Sequence, residues 1–296
     1  MNEFKNFHPS ISFLYFVAVI ASGMFFLHPV CLCISLFSSF LCVILVSDKK
    51  TIKRQCLFLL PMMMVTALFN PLFNHQGVTI LAYLPGGNPL TLESVIYGIV
   101  AAMMLITVIN WFSCYNKIMT SDKFIYLFGK IIPSLSLIFS MTLRFVPRFI
   151  AQFKLVANAQ KGIGNDITRG SLTKRMKRIL TLFSIMITWS LENAAETADS
   201  MKSRGYGLSG RSSFSIYTFD SRDKRALIYL LGLLGYVLIG AVLGQTRFYY
   251  FPAMDSLTAH PYNISIFLAY SLLCTMPIWI ELAHYKKEVK SWSNIN

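Results

Sequence analysis

Four long stretches of the chain contain no charged residue, and they dominate its pattern of apolar and polar positions. They run over residues 11–46, 94–116, 226–246 and 261–280. A helix needs about 20 mostly apolar residues to cross the roughly 30 Å hydrocarbon core of a bilayer. A surface helix of a soluble protein would carry a polar face, and these stretches have none. The pattern therefore predicts membrane-spanning helices.

The charge-free stretches, with one further apolar segment, divide into six predicted spans. The first stretch is too long for one span and breaks at His28-Pro29, because proline disfavours helix at the residue before it. The further segment follows a polar turn over 48–55 and ends at Asn70-Pro71. The predicted spans cover about 11–27, 30–46, 56–70, 92–113, 226–245 and 262–282. The predicted fold class is all-α, a polytopic membrane protein with about six transmembrane helices.

The loop between the third and fourth spans has a different pattern. Residues 78–84 are mostly apolar and are followed by Pro85-Gly86-Gly87-Asn88-Pro89. This combination predicts a short hairpin or a re-entrant segment.

The distribution of basic residues predicts the orientation of the chain in the membrane. The turn 48–55 has four, 71–91 has none, 114–225 has eighteen, and 246–261 has only Arg247. Loops rich in Lys and Arg stay on the cytoplasmic side. With both termini cytoplasmic, 26 of the 27 basic residues lie on that side. We therefore predict a multi-pass plasma-membrane protein with N-terminal spans in 1–114, a cytoplasmic domain in 115–224 and C-terminal spans in 225–296.

The chain has 14% charged residues, against about 25% in soluble domains, and this deficit fits the predicted membrane spans. No metal site is predicted, because the five histidines are scattered singly. The cysteines form no CxxC pair and all lie in or beside apolar runs, as is typical of small packing residues. They are Cys31, Cys33, Cys42, Cys56, Cys114 and Cys274.

The cytoplasmic segment contains two long predicted helices. Residues 115–224 hold 17 basic and 7 acidic residues, and over about 171–204 the apolar residues recur with helical spacing. An upstream helix is predicted from Pro133 to about Lys161, with Pro147 as a kink. The residues between them suggest a helical hairpin or a crossed pair. Charged residues on these helices include Arg144 and Arg148 on the first, and Glu192, Glu196 and Asp199 on one face of the second.

The two predicted helices end alike. One closes in Gln160-Lys161-Gly162 and the other in Ser203-Arg204-Gly205. A basic residue in the last turn with a glycine just beyond is ordinary C-cap chemistry. The same pattern also describes a projecting basic tip, because an arginine there can form paired bonds with a carboxylate on another protein. Both interpretations stay open on the sequence alone.

At these residues the chain resembles the transmembrane T component of energy-coupling factor (ECF) transporters, a family that includes cobalt-type permease subunits. The family carries an Ala-Arg-Gly motif at the end of each of two cytoplasmic coupling helices. The second motif usually lies in a run like E-x-A-D/E-S-M-x-x-R-G-Y/F, which residues 196–206 match with Ser203 in place of alanine. The first motif is represented by Gln160-Lys161-Gly162, which lacks the guanidinium group. The run 143–147 also looks like the family pattern.

The resemblance implies a scaffold subunit without a catalytic site, in a bacterial importer of a vitamin or a metal ion. Two ABC ATPase subunits would bind ATP and Mg²⁺ and dock on the coupling helices, while this chain would bind no cofactor. A small membrane-embedded S component would carry the substrate. The implied ATPase-coupling residues are Arg204, Ser203, Gly205, Lys161, Gly162 and Gln160, with Arg144, Arg148, Glu196 and Asp199 supporting the helices.

Three other functions are weaker candidates. A self-contained secondary transporter would carry ionisable residues near mid-membrane, whereas Glu93 and Glu281 lie at span edges. An intramembrane enzyme would need a catalytic cluster, and the acidic face of the second cytoplasmic helix has no nearby histidine. No GxxxxGK[ST] phosphate loop occurs, so ATP hydrolysis would belong to partners. Membrane orientation and contact with anionic lipid already account for the basic residues, so no nucleic-acid partner is predicted.

Overall fold

Helices make up most of the computed structural model. The structure describes residues 3–83, 87–129, 132–168, 170–208, 217–255 and 260–293. After a 3-10 turn at Phe4–Asn6, the helices are α1 (Pro9–Phe25), α2 (Pro29–Val46), α3 (Lys49–Phe73), α4 (Leu92–Ile118), α5 (Ser121–Gly129), α6 (Pro133–Gly162), α7 (Leu172–Ser203), α8 (Ser221–Val242) and α9 (Pro261–Ser293).

Two short antiparallel strands form the hairpin predicted between the third and fourth spans. They are β1 (Ile80–Tyr83) and β2 (Pro89–Thr91). Residues 84–86 of the predicted turn lie outside the described residues.

Each predicted span falls on one apolar helix. Within the described residues, α2, α3, α4, α8 and α9 are long and apolar enough to cross a bilayer. Helix α1 is apolar and has 17 residues, at the lower end of the range of about 17–25 that spans a membrane. The chain is therefore an all-α polytopic membrane protein.

The third predicted span was too short at both ends. The prediction covered 56–70, whereas α3 runs from Lys49 to Phe73. The basic residues of the supposed polar turn form the first turns of the helix, and the backbone remains helical at Pro61 and Pro71. An apolar run marks the part of a helix that crosses lipid, not the polar turns that extend it.

The helices form two compact units, which we call the membrane unit and the hairpin unit. The membrane unit comprises residues 1–124 and 217–296, so the N-terminal and C-terminal spans share one core. The hairpin unit comprises residues 125–216.

Aromatic and small residues pack the core of the membrane unit. The Tyr15 hydroxyl donates to the backbone oxygen of Cys274 at 2.8 Å, and Trp111 Nε1 donates to Ser35 Oγ at 3.0 Å. These bonds satisfy polar groups that burial would otherwise leave unpaired, which is costly in an apolar interior. Four of the six cysteines are buried free thiols, consistent with the predicted packing role: Cys31, Cys42, Cys114 and Cys274.

Candidate functional site

Helices α6 and α7 pack as an antiparallel hairpin. Phe149 meets Trp189 edge to face, with ring centroids 5.3 Å apart, and Val156 packs with Leu182 and Met186. Residues later in α6 contact residues earlier in α7. The end of α6 therefore lies beside the start of α7. The observed bounds agree closely with the predicted helices over 133–161 and 171–204.

Much of the apolar face of α7 stays uncovered in the hairpin unit. Leu182 and Met186 are buried, but Phe183 is 62% exposed and Leu191 is 67% exposed. An exposed apolar stripe of this kind marks an interaction surface more often than a solvated one.

An apolar cavity of about 830 Å³ lies between the two helices, lined by α6 residues such as Phe149 and Phe153 and by α7 residues such as Phe183 and Ile187. We had not predicted the α6 half of this surface. Its signal was present in the sequence, because Val146, Phe149, Ile150 and Phe153 have the spacing of one helix face.

A second, charged cavity of about 750 Å³ brings together four of the predicted site residues, Arg144, Arg148, Glu196 and Arg204. Arg144 and Arg148 belong to α6, whereas Glu196 and Arg204 belong to the end of α7, and the two pairs meet because the helices are antiparallel. Arg148 also sits 5.7 Å from the ring centroid of Trp189, a cation–π arrangement. Within the described part of the chain, no ion pair joins Glu196 to these guanidinium groups. Three cations facing one carboxylate leave an excess of positive charge.

Asp199 does not line the charged cavity. It is exposed on α7. Helical spacing does place it near Glu196, but only Glu196 borders the space between the helices. Asn193 and Ser200 also line the cavity, and we had not predicted them.

The end of α7 is closed by a left-handed glycine. Gly205 has φ +76, its N–H donates to Lys202 O at 2.9 Å, and the N–H of Tyr206 donates to Met201 O at 3.0 Å. This pair of bonds is the Schellman motif, which satisfies carbonyls at a helix C-terminus. Arg204 is the C-cap residue, and Ser203 Oγ donates to Ser200 O at 2.9 Å.

The end of α6 carries the same motif two residues later than expected. Gly162 is the last helical residue, and the left-handed glycine is Gly164, with φ +86. Its N–H donates to Lys161 O at 3.1 Å, and the N–H of Asn165 donates to Gln160 O at 2.9 Å. The prediction that Gly162 lies just beyond the helix is therefore wrong. Glycine tolerates helical dihedral angles, and the chain reverses at the next glycine instead.

The two predicted tips lie at opposite ends of the hairpin unit. The cavity beside Gln160 is lined by Lys177 and Arg178, near the start of α7, whereas Arg204 caps its end. At 1.5 Å per residue, the two tips are separated by about 40 Å along α7. The structure does not bring Lys161 and Arg204 together.

Buried acidic groups in the membrane unit have structural partners. Glu93, in the first turn of α4, accepts a hydrogen bond at 2.9 Å from Oγ1 of Thr79, the residue before β1, and so ties the start of the β-hairpin to the helix. Among the described residues, no group of three His, Cys, Asp or Glu side chains is arranged to hold a metal ion.

These features define a class: a polytopic α-helical membrane protein with a separate helical hairpin whose ends carry basic residues. Residues 5–216 match the family described as cobalt transport protein, CbiQ. The chain belongs to this family.

Individual relatives are similar over shorter stretches. The chain is 34% identical over 109 residues to the energy-coupling factor transporter transmembrane protein EcfT of Lactobacillus helveticus, covering 36% of this chain and 39% of that protein. It is 32% identical over 98 residues to the EcfT of Lactococcus lactis subsp. cremoris, covering 33% and 37%. It is 28% identical over 189 residues to the EcfT of Macrococcus caseolyticus, covering 60% and 69%. The chain thus matches less than two fifths of the length of the first two relatives.

Proposed function

We propose that this chain is the transmembrane T component of an energy-coupling factor importer. It acts as a non-catalytic scaffold that couples ATP hydrolysis by two partner ATPase subunits to a substrate-binding S component. The observation that carries the proposal is the end of α7, where residues 196–206 keep the family motif and Arg204 shares a cavity with Arg144 and Arg148. The family match and the relatives' names support it.

The charged cavity suits an acidic partner surface. A guanidinium group presents a planar set of donors that pairs with a carboxylate through two parallel bonds. Arg204 stands at the negative end of the α7 dipole, where a cation is favoured. In the proposed complex, Arg204 enters an acidic groove on one ATPase while Glu196 limits the repulsion among the three arginines.

The spacing of the two tips suits two ATPase subunits. The end of α7 contacts one subunit, and the end of α6, residues 160–164, contacts the other about 40 Å away. ATP-driven closure of the ATPases would then push the hairpin unit at two points. A packed pair of helices moves as a rigid body, so displacement at its ends is transmitted along its length.

The apolar cavity and the exposed stripe of α7 suit the S component. Phe183 and Leu191 are exposed, and the cavity beside them is lined almost entirely by apolar side chains. A small hydrophobic membrane protein would cover this surface and remove it from water. The vitamin or metal ion would be bound by the S component and the nucleotide by the ATPases, so this chain would hold no cofactor.

The proposed location is the plasma membrane of a bacterium, with both termini and the hairpin unit on the cytoplasmic side. The basic residues support this orientation, because 26 of 27 then face the cytoplasm. The partner ATPases would meet the hairpin unit there.

The test is purification of the tagged chain from its native host in mild detergent, with quantification of the ATPase subunits recovered. Arg204→Glu should lower their recovery about tenfold or more, because a carboxylate would face an acidic groove. Lys50→Glu, the same charge reversal at an exposed position in the first turn of α3, should leave recovery unchanged. Normal assembly and uptake in the Arg204→Glu variant would refute the role of Arg204.

A further inference from the structure

We infer that Ile163, rather than Lys161, is the residue of α6 that corresponds to Arg204, so that this end of the hairpin unit makes an apolar contact with its ATPase subunit. The inference rests on the proposed function for the identity of the partner. The correspondence itself rests on the geometry of the two helix ends.

The two helix ends have the same backbone hydrogen bonds and nearly the same C-cap dihedral angles; we call this shared geometry the backbone frame. On α7, the left-handed Gly205 and the residue after it donate to carbonyls three and five positions earlier, at 2.9 and 3.0 Å. On α6, Gly164 and Asn165 make the same two bonds at 3.1 and 2.9 Å. The C-cap residues also agree: Ile163 has φ −90 and ψ 13, and Arg204 has φ −86 and ψ 10.

This frame sets the register between the two motifs. It aligns residues 160–164 with residues 201–205, so that Lys161 corresponds to Lys202 and Gly162 to Ser203. Each end then has a lysine three positions before its left-handed glycine. At the C-cap the arginine of α7 becomes an isoleucine on α6, while Gln160 and Gly162 stand where α7 has Met201 and Ser203.

Side-chain direction follows from the frame. Backbone dihedral angles determine where Cβ points, so Ile163 and Arg204 leave their helix ends in the same direction. Lys161 lies two residues earlier, about 200° round the helix at 3.6 residues per turn. If the arginine tip enters a groove, the corresponding position on α6 presents the isoleucine, and the lysine lies on the flank.

The chemistry of this contact differs from that at Arg204. Ile163 is 72% exposed, and its neighbours Gly162 and Gly164 have open space where a side chain would stand. The isoleucine side chain offers no hydrogen bond, so an acidic groove would lose water at its carboxylates without gaining a partner. The receiving surface on this ATPase subunit must therefore be apolar.

Photo-crosslinking of the complete complex tests the register. A photoreactive phenylalanine analogue is introduced singly at positions 161, 163 and 204, and crosslinks to ATPase subunits are quantified. We expect strong crosslinks from 163 and 204 and several-fold fewer from 161. Crosslinks from 204 but not from 163 would overturn this inference alone. The absence of ATPase crosslinks from all three positions would count against the proposed function itself.

Substitutions test the apolar character of the contact. Ile163→Asp should lower ATPase recovery about tenfold or more, because a buried unpaired charge is strongly unfavourable. Ile163→Leu and Lys161→Gln should keep recovery within about twofold of the parent chain. If the purified Ile163→Asp variant unfolds at the same temperature as the parent chain, its lower ATPase recovery reflects a lost contact and not a folding defect. Loss in Lys161→Gln with normal assembly in Ile163→Asp would reverse the assignment.

Discussion

At the scale of single residues, the two motif glycines have different conformations. Gly205 is left-handed, and a Cβ there would also come within 3.1 Å of Leu208 Cδ1. Gly162 is helical, with open space around the position of a Cβ. The same substitution should therefore have opposite effects at the two positions, although both occupy the third place of a sequence motif.

Alanine at these positions measures the difference. Gly205→Ala should destabilise the end of α7 by about 1–2 kcal/mol, because non-glycine residues are strained in the left-handed region. Gly162→Ala should stabilise the end of α6 by about 0.5–1 kcal/mol through higher helix propensity. The measurement is amide hydrogen exchange in the last turn of each helix.

Gly164→Ala serves as the control for this pair. Its φ of +86 places it with Gly205, so alanine there should also destabilise. Destabilisation by Gly162→Ala together with neutrality of Gly164→Ala would mean that α6 ends where the sequence motif suggested, and not where the structure places its cap.

At the scale of elements, the hairpin unit is held by a small core. Val156, Leu182 and Met186 are its buried apolar residues among those the structure describes. Leu182→Ala should cost about 2–5 kcal/mol, because it removes transfer energy and leaves a cavity. We expect faster amide exchange across α6 and α7, with exchange in the apolar helices of the membrane unit unchanged.

Leu180→Ala is the matched control for this substitution. Leu180 lies on the same helix and is 62% exposed, so its truncation should change stability by no more than about 0.5 kcal/mol. Equal effects of the two variants would show that burial within the hairpin does not determine its stability, and that the exposed stripe is covered in the isolated chain.

The sequence predicted the long helices better than the site. The ends of α6 and α7 fell within one residue of prediction, because their apolar or amphipathic patterns extend over many turns and a cap closes each. By contrast, the charged cavity forms because Arg148 of α6 and Glu196 of α7 come together across two antiparallel helices. The apolar periodicity of each helix does not predict which residues of the other helix it will face. The α6 motif was misaligned for a related reason. Two nearby glycines satisfy the same local rule, and only the hydrogen bonds distinguish them.

At the scale of the whole molecule, the arrangement of apolar helices and basic loops predicts the orientation of every connection. If six helices cross the membrane, the segments before α1, between α2 and α3, and between α4 and α8 lie on one side. The β1–β2 hairpin and the connection between α8 and α9 lie on the other. The positive-inside rule predicts that the first side is cytoplasmic, because only Arg247 then remains outside.

Cysteine labelling in intact cells tests this orientation. With the six native cysteines replaced, single cysteines are placed at Tyr83, Arg247, Lys50 and Lys177, all of which are exposed. A membrane-impermeant maleimide should label the first two positions, and the last two only after the membrane is permeabilised. Labelling of position 50 in intact cells would place the start of α3 outside, and labelling of position 177 would place the hairpin unit outside. ATPase subunits that work in the cytoplasm would then have no access to Arg204, so this result would refute the coupling role together with the topology.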